Sequence, residues 1–199
     1  MSRDVSQAAD ADESKEPPLE FVVNVGGKAI TITEGKPASL EGMFTNPKIS
    51  VTPQPFRVFP YQGIAFKYPR SFTFEADLAT PDYKNWTLSG NDLRIMYFVL
   101  KGEVTPDDFA SNMMDELGRK NCKITNAKAK ITLGKQTLSG TTFHATVASH
   151  KMAIDTYRVP SPGATTKLLV FQDGLDEQGN RSDEGKQAIK EIESSFTFE

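Results

Sequence analysis

Apolar side chains recur every second residue through most of this chain. After Leu19, FVVNV and KAITIT flank Gly26-Gly27, two residues that tolerate positive φ, and this pattern predicts a hairpin. The alternation lapses from Glu34 to Asn46. Lys48 to Phe59 resumes it around Pro53 and Pro55, which cannot donate to a ladder and so imply an edge or an irregular extended path. One hairpin is marginal alone, so residues 19–57 are predicted to be an accessory segment. The main body runs from residue 58. Ile64, Phe66 and Tyr68 alternate up to Pro69, and Phe72, Phe74 and Ala76 follow, which predicts two half-buried strands. Leu93 to Lys101 is apolar on both faces and belongs in the middle of a sheet. Four more strands are predicted at Ile124 to Leu133, with a break near Asn126, Thr137 to Ala148, Met152 to Val159 and Thr166 to Asp173. Their short, turn-rich connections make neighbours antiparallel.

Two segments change to the helical period. Thr105-Pro106-Asp107-Asp108 supplies an N-cap, a proline at the first helical position and first-turn acids, and Phe109, Met113 and Leu117 then mark one face up to Gly118. Near the end, Ser182 caps a helix with Asp183 and Glu184 in its first turn and Ala188, Ile189, Ile192 and Phe196 on its buried face. Strands, a helix, strands again and a final helix predict an α+β layered domain.

Composition adds a leader. Residues 1–18 carry five acids, two bases, Pro17-Pro18 and, besides Met1 and Val5, no sizeable apolar side chain. Such a stretch cannot bury enough surface to offset its ordering entropy, so it is predicted to be disordered. The remainder is neutral, which argues against a nucleic-acid footprint. One cysteine, Cys122, excludes an intrachain disulfide, and no Cys/His cluster offers four zinc ligands. The longest wholly apolar run, Ile95 to Leu100, is far short of the about 20 residues of a membrane span. Met1 is followed by polar residues in place of a signal peptide's apolar core. The expected compartment is therefore the cytoplasm, or the periplasm or cell envelope if an export signal has been trimmed. The Ser/Ala/Asp/Glu leader resembles the tether of exported bacterial proteins.

Few residues suggest chemistry. If Ser149-His150 is a two-residue turn, His144 falls opposite Asp155, where a carboxylate can orient an imidazole. No G-x-S-x-G elbow supplies a nucleophile. A small hydrolase using His144 with Asp155 is thus an alternative, not the leading expectation. The acidic loop from Asp173 to Glu184 departs from an EF-hand, with Leu175 third, Gln178 sixth and glycine only seventh at Gly179. Asp173, Asp176 and Glu177 leave a weak divalent-cation binder as a second alternative. Cys122 is expected to be an inert thiol. Tyr83 and Trp86, with Asn85, are read as lying in a polar connector between strands, where aromatic side chains can anchor a partner. No cofactor is implied.

The stretch Tyr61-Gln62-Gly63-Ile64-Ala65-Phe66-Lys67-Tyr68-Pro69-Arg70-Ser71-Phe72 resembles the opening of PsbP-like domains, in which an alternating strand runs into Tyr-Pro and an aromatic residue. Ile189, Ile192, Ser195-Phe196 and Phe198 resemble that family's terminal helix and Ser-Phe strand. The resemblance covers about residues 58–199. Phe72 stands where a tryptophan is common, and the hairpin of residues 19–34 belongs to no part of the pattern. The resemblance implies an antiparallel β-sheet sandwiched by helices, a fold shared with a photosynthetic oxygen-evolving subunit, a Ran-binding nuclear transport factor and many exported bacterial proteins. These mostly bind partners, and no catalytic residue transfers from them. The expectation is a non-catalytic partner-binding or scaffold module of an exported or envelope-associated protein. Its protein partner is unidentified, and Tyr83, Trp86, His144 and Asp155 are its candidate binding residues.

Overall fold

The computed structural model describes residues 12–198. Residues 1–11 of the predicted leader lie outside the described residues. The strands in chain order are β1 (Glu20–Val25), β2 (Lys28–Thr33), β3 (Ile49–Pro53), β4 (Phe56–Phe59), β5 (Ile64–Pro69), β6 (Thr73–Thr80), β7 (Tyr83–Ser89) and β8 (Leu93–Lys101). Helix α1 (Pro106–Glu116) follows, then β9 (Cys122–Leu133), β10 (Gln136–Val147), β11 (His150–Val159), β12 (Thr165–Gly174), α2 (Asp183–Ser195) and β13 (Thr197–Phe198).

Three antiparallel sheets result, ordered β2-β1-β3, β6-β7-β8-β12-β11-β10-β9 and β13-β5-β4. Gly26 and Gly27 take φ of +57° and +89° at the β1–β2 turn, conformations open to residues without a Cβ. β3 pairs with the other edge of β1, so the accessory unit is one strand larger than the predicted hairpin. β8 lies mid-sheet between β7 and β12, and its two apolar faces serve two cores. On one face Leu93, Ile95 and Tyr97 meet Phe59, Phe66 and Tyr68 from β4 and β5, with Ala188 and Ile192 of α2. On the other, Met96 and Phe98 meet Ala110 and Met114 of α1, with Phe143, Ile154, Leu168 and Val170. Thr105 caps α1 reciprocally: its hydroxyl accepts from the Asp108 N–H and the Asp108 carboxylate accepts from its own N–H. The predicted break near Asn126 is a bulge against Gly140–Phe143 of β10.

The expected α+β sandwich, a sheet enclosed by helices, needs correction. Strand takes 53% of the described residues and helix 14%, so the protein is a mostly antiparallel β structure with two α-helices. The physical reason lies in Phe56–Pro69. Its two-residue period predicts strands correctly, but those strands do not join the main sheet. They pair with each other and with β13 as a second sheet that covers much of one face. Period settles which side chains point inward and leaves the hydrogen-bonding neighbour open.

Candidate functional site

The structure takes Trp86 and Tyr83 out of the expected connector and places both on β7. Trp86 is fully buried, its ring centroid 6.0 Å from Phe59, 5.9 Å from Tyr61 and 5.9 Å from Tyr97. Tyr83 points to the other core and lies 6.0 Å from Phe98. Neither is an exposed anchor. Lys84, Asn85, Thr87 and Ser89 mask the alternation of β7 in the sequence, although Trp86 and Leu88 already carry it.

Positive φ falls on Ala148 (+47°) and Ser149 (+71°), so these two residues make the β10–β11 turn. Thr142, not His144, therefore sits opposite Asp155, and His144 faces Ala153. Asp155 is 3% exposed; it accepts from the Thr142 hydroxyl at 2.7 Å and from Arg181 Nη2 at 2.5 Å. Both of its oxygens are thereby engaged without an imidazole. Among the described residues His144 makes no side-chain hydrogen bond. Arg181 also faces Asp173, Nη1 to Oδ2 at 3.9 Å. Asp173 is wholly buried and accepts from the Ser182 hydroxyl; burial pushes its carboxyl up, against the opposing pull of Ser182 and Arg181. Asp176 binds the Asn180 amide and N–H within its own loop, and these bonds hold its carboxyl below the usual range. Glu177 contributes its backbone carbonyl, which accepts from Lys151. No group of three His, Cys, Asp or Glu side chains converges for a metal among the described residues.

These loops border a polar cleft of about 680 Å³. One acid of its lining, Glu184, is already occupied: the N–H groups of Asn91, Asp92 and Leu93 donate to its carboxylate and tie the start of α2 to the β7–β8 turn. Burial raises the Glu184 carboxyl, and these bonds together with the Asn91 amide outweigh it, so the net shift is downward. A carboxylate depressed in the folded state adds stability above its unfolded value and loses it as pH falls through the folded one. Glu184→Gln should therefore cost about 2 kcal/mol near neutrality. The deficit should shrink as acid titrates the wild type below about pH 4.3, the ordinary glutamate value. Urea melts of both proteins at pH 7 and pH 3 measure this; an equal deficit at both would show that the charge contributes nothing.

Composition predicts residues 1–18 to be a disordered leader; in its described part, residues 12–17 instead lie against the body. The Trp86 indole donates to the Glu13 carbonyl at 2.7 Å, the Tyr61 hydroxyl to the Lys15 carbonyl at 2.6 Å and Arg57 Nη1 to the Pro17 carbonyl at 2.6 Å. Lys84 (2.9 Å) and the Gln62 amide bind the Glu13 carboxylate, and Arg57 Nε lies 3.3 Å from Glu16. Pro17 is buried. Burial, with Asp12 and Glu13 nearby, pushes the Tyr61 phenol up and keeps it a donor. The same Arg57 reaches Glu34, just beyond β2, and so links this segment to the accessory unit.

Register also gathers one face of the accessory sheet. Phe21, Val23 and Val25 lie opposite Ile32, Ile30 and Lys28 of β2 and opposite Pro53, Val51 and Ile49 of β3. None of them belongs to either core, and Ile49 is 64% and Val51 57% exposed. The 34–48 connector turns back at one end, where Lys28 lies over the Phe44 ring and donates to the Glu41 carbonyl.

No family model matches the chain, and no curated protein matches it in sequence. Among solved structures it is similar to LpqN of Mycobacterium tuberculosis, a protein described as involved in cell envelope biogenesis. The identity is 20%, the match covers 67% of this chain and 82% of that one, and the TM-score is 0.42. No described helix is long and apolar enough to cross a membrane.

Proposed function

We propose that this chain is a non-catalytic module that binds a protein partner through the apolar face of its accessory sheet. One observation carries this: Ile49 and Val51 stay exposed on a face that also carries the half-buried Phe21, Val23, Val25, Ile30 and Ile32, and neither core claims it. Contiguous apolar surface of this kind is where protein partners dock, and among the described residues the outer edges of β2 and β3 pair with no further strand. The non-catalytic part of the proposal is supported by Asp155 and Asp176, whose carboxylates are engaged locally, and by His144, which faces Ala153 and not a carboxylate. An exported or envelope-associated setting belongs to the proposal through the leader's composition.

In-cell photo-cross-linking tests it. A photoreactive phenylalanine at position 51 should yield one discrete adduct that Ile49→Glu abolishes. The same residue at position 124, half-exposed on edge strand β9, should yield none. Equal yields at both positions, or none at 51, would overturn the proposal. Because both side chains are solvent-facing, Ile49→Glu and Val51→Glu should each change stability by no more than about 0.5 kcal/mol.

A further inference from the structure

The cleft that holds residues 12–17 has an unusual chemical bias. Everything the body presents there is a donor: the Trp86 N–H, the Tyr61 O–H, the Lys84 ammonium, the Gln62 amide and the Arg57 guanidinium. The segment answers with acceptors, the carbonyls of Glu13, Lys15 and Pro17 and the Glu13 carboxylate, while the Glu16 carboxylate pairs with Arg57 Nε by charge alone at 3.3 Å. The receptor side is built in advance. The Trp86 and Tyr61 rings stack 5.9 Å apart inside the first core, and Phe59 and Tyr97, 6.0 and 5.9 Å from Trp86, hold it from the body's own side. The tenant is lightly held: Asp12, Ser14, Lys15 and Glu16 are exposed, and only Pro17 is buried. A preorganised receptor beneath a segment with little burial of its own is a site whose occupant opens at low cost.

We propose that this cleft is a receptor for an acidic, extended peptide segment of a partner protein, and that the chain's own Glu13–Pro17 fills it in cis. Carbonyl contacts are indifferent to sequence, so selectivity comes from three positions. Lys84 and Gln62 take the first glutamate, Arg57 takes a second three residues on, and a buried site takes the following proline. The recognised pattern is Glu-x-x-Glu-Pro. This surface is separate from the accessory-sheet face, and either assignment can fail without the other.

The cis segment competes at a high local concentration, so the test weakens it within the full-length chain. Trp86 is the only tryptophan and reports occupancy of the cleft by its emission. In E13A/E16A the emission should shift to the red, and a synthetic peptide of residues 12–19 should restore it. The peptide should bind this variant at least about tenfold more tightly than wild type, and Glu13→Gln should fall between them. Replacing both glutamates of the peptide by glutamine should weaken it at least about tenfold, and adding Lys84→Glu to the variant should abolish the response. Four results would overturn the proposal: no recovery of emission at millimolar peptide, equal affinity for wild type and variant, equal binding of the glutamine peptide, or a wild-type dimer that the peptide dissociates. The last would make a second copy the occupant. Circular dichroism melts establish that each variant is folded, and the milder Glu13→Gln carries the test if the double variant is not.

Discussion

Trp86→Ala lowers the unfolding free energy by about 3–5 kcal/mol, the range for truncating a large buried aromatic side chain. The residue sits on β7, flanked by β6 and β8 in the main sheet, and Phe59, Tyr61 and Tyr97 surround it, so the cavity left behind cannot close without moving β4 or β8. Loss of the indole N–H also returns the Glu13 carbonyl to water and frees the start of the docked segment. Trp86→Phe separates the two effects. It keeps most of the apolar volume while removing the donor, and should cost closer to about 1–2 kcal/mol. Urea unfolding followed by circular dichroism gives both numbers. A Trp86→Ala penalty below about 1 kcal/mol would contradict the burial of this side chain.

Gly140→Ala should have an effect of similar size for a different reason. Gly140 lies on β10 opposite Tyr157, beside the bulge, and a Cβ there would overlap the Thr156 carbonyl oxygen and come within 2.7 Å of the Tyr157 ring. One of those neighbours is backbone in the adjoining strand and the other is a buried aromatic, so neither can swing aside. The expected loss is about 3 kcal/mol or more, or failure to accumulate folded protein. Gly163→Ala is the control. That glycine has a φ of +73° with nothing within 4 Å, so its penalty should be only the about 1 kcal/mol of a left-handed alanine. Equal penalties at the two positions would mean that β10 and β11 are further apart than the register requires.

Glu184, Arg57 and the Asp155–Arg181 pair show why much of the site was not legible in the sequence. Glu184 reads as a first-turn helix acid, and it is one, but its chief partners are backbone N–H groups of residues 91–93, about ninety positions earlier. Asp155 would face His144 only with a turn one residue later than the one that forms. Moving both turn positions from Ser149-His150 to Ala148-Ser149 shifts the pairing by two residues and brings Thr142 opposite it instead. Arg57 gave no signal at all, since its partners at 16, 17 and 34 come from three stretches that look unrelated in the chain.

By itself the sequence determined what is local. It set the alternation that makes strands of residues 64–69 and 93–101, the Gly26-Gly27 turn, the Thr105 and Ser182 caps, and the two short helical stretches. Each of these is decided within a turn or two of chain, by backbone sterics and by the spacing of apolar side chains. Only the tertiary structure decided which strands share a sheet, why a second sheet takes a place expected for helices, and that an acidic leader finds five donors waiting at positions 57, 61, 62, 84 and 86. Those outcomes depend on groups brought together across long loops. A two-residue period tells a strand which side to bury but nothing about whom it will lie beside.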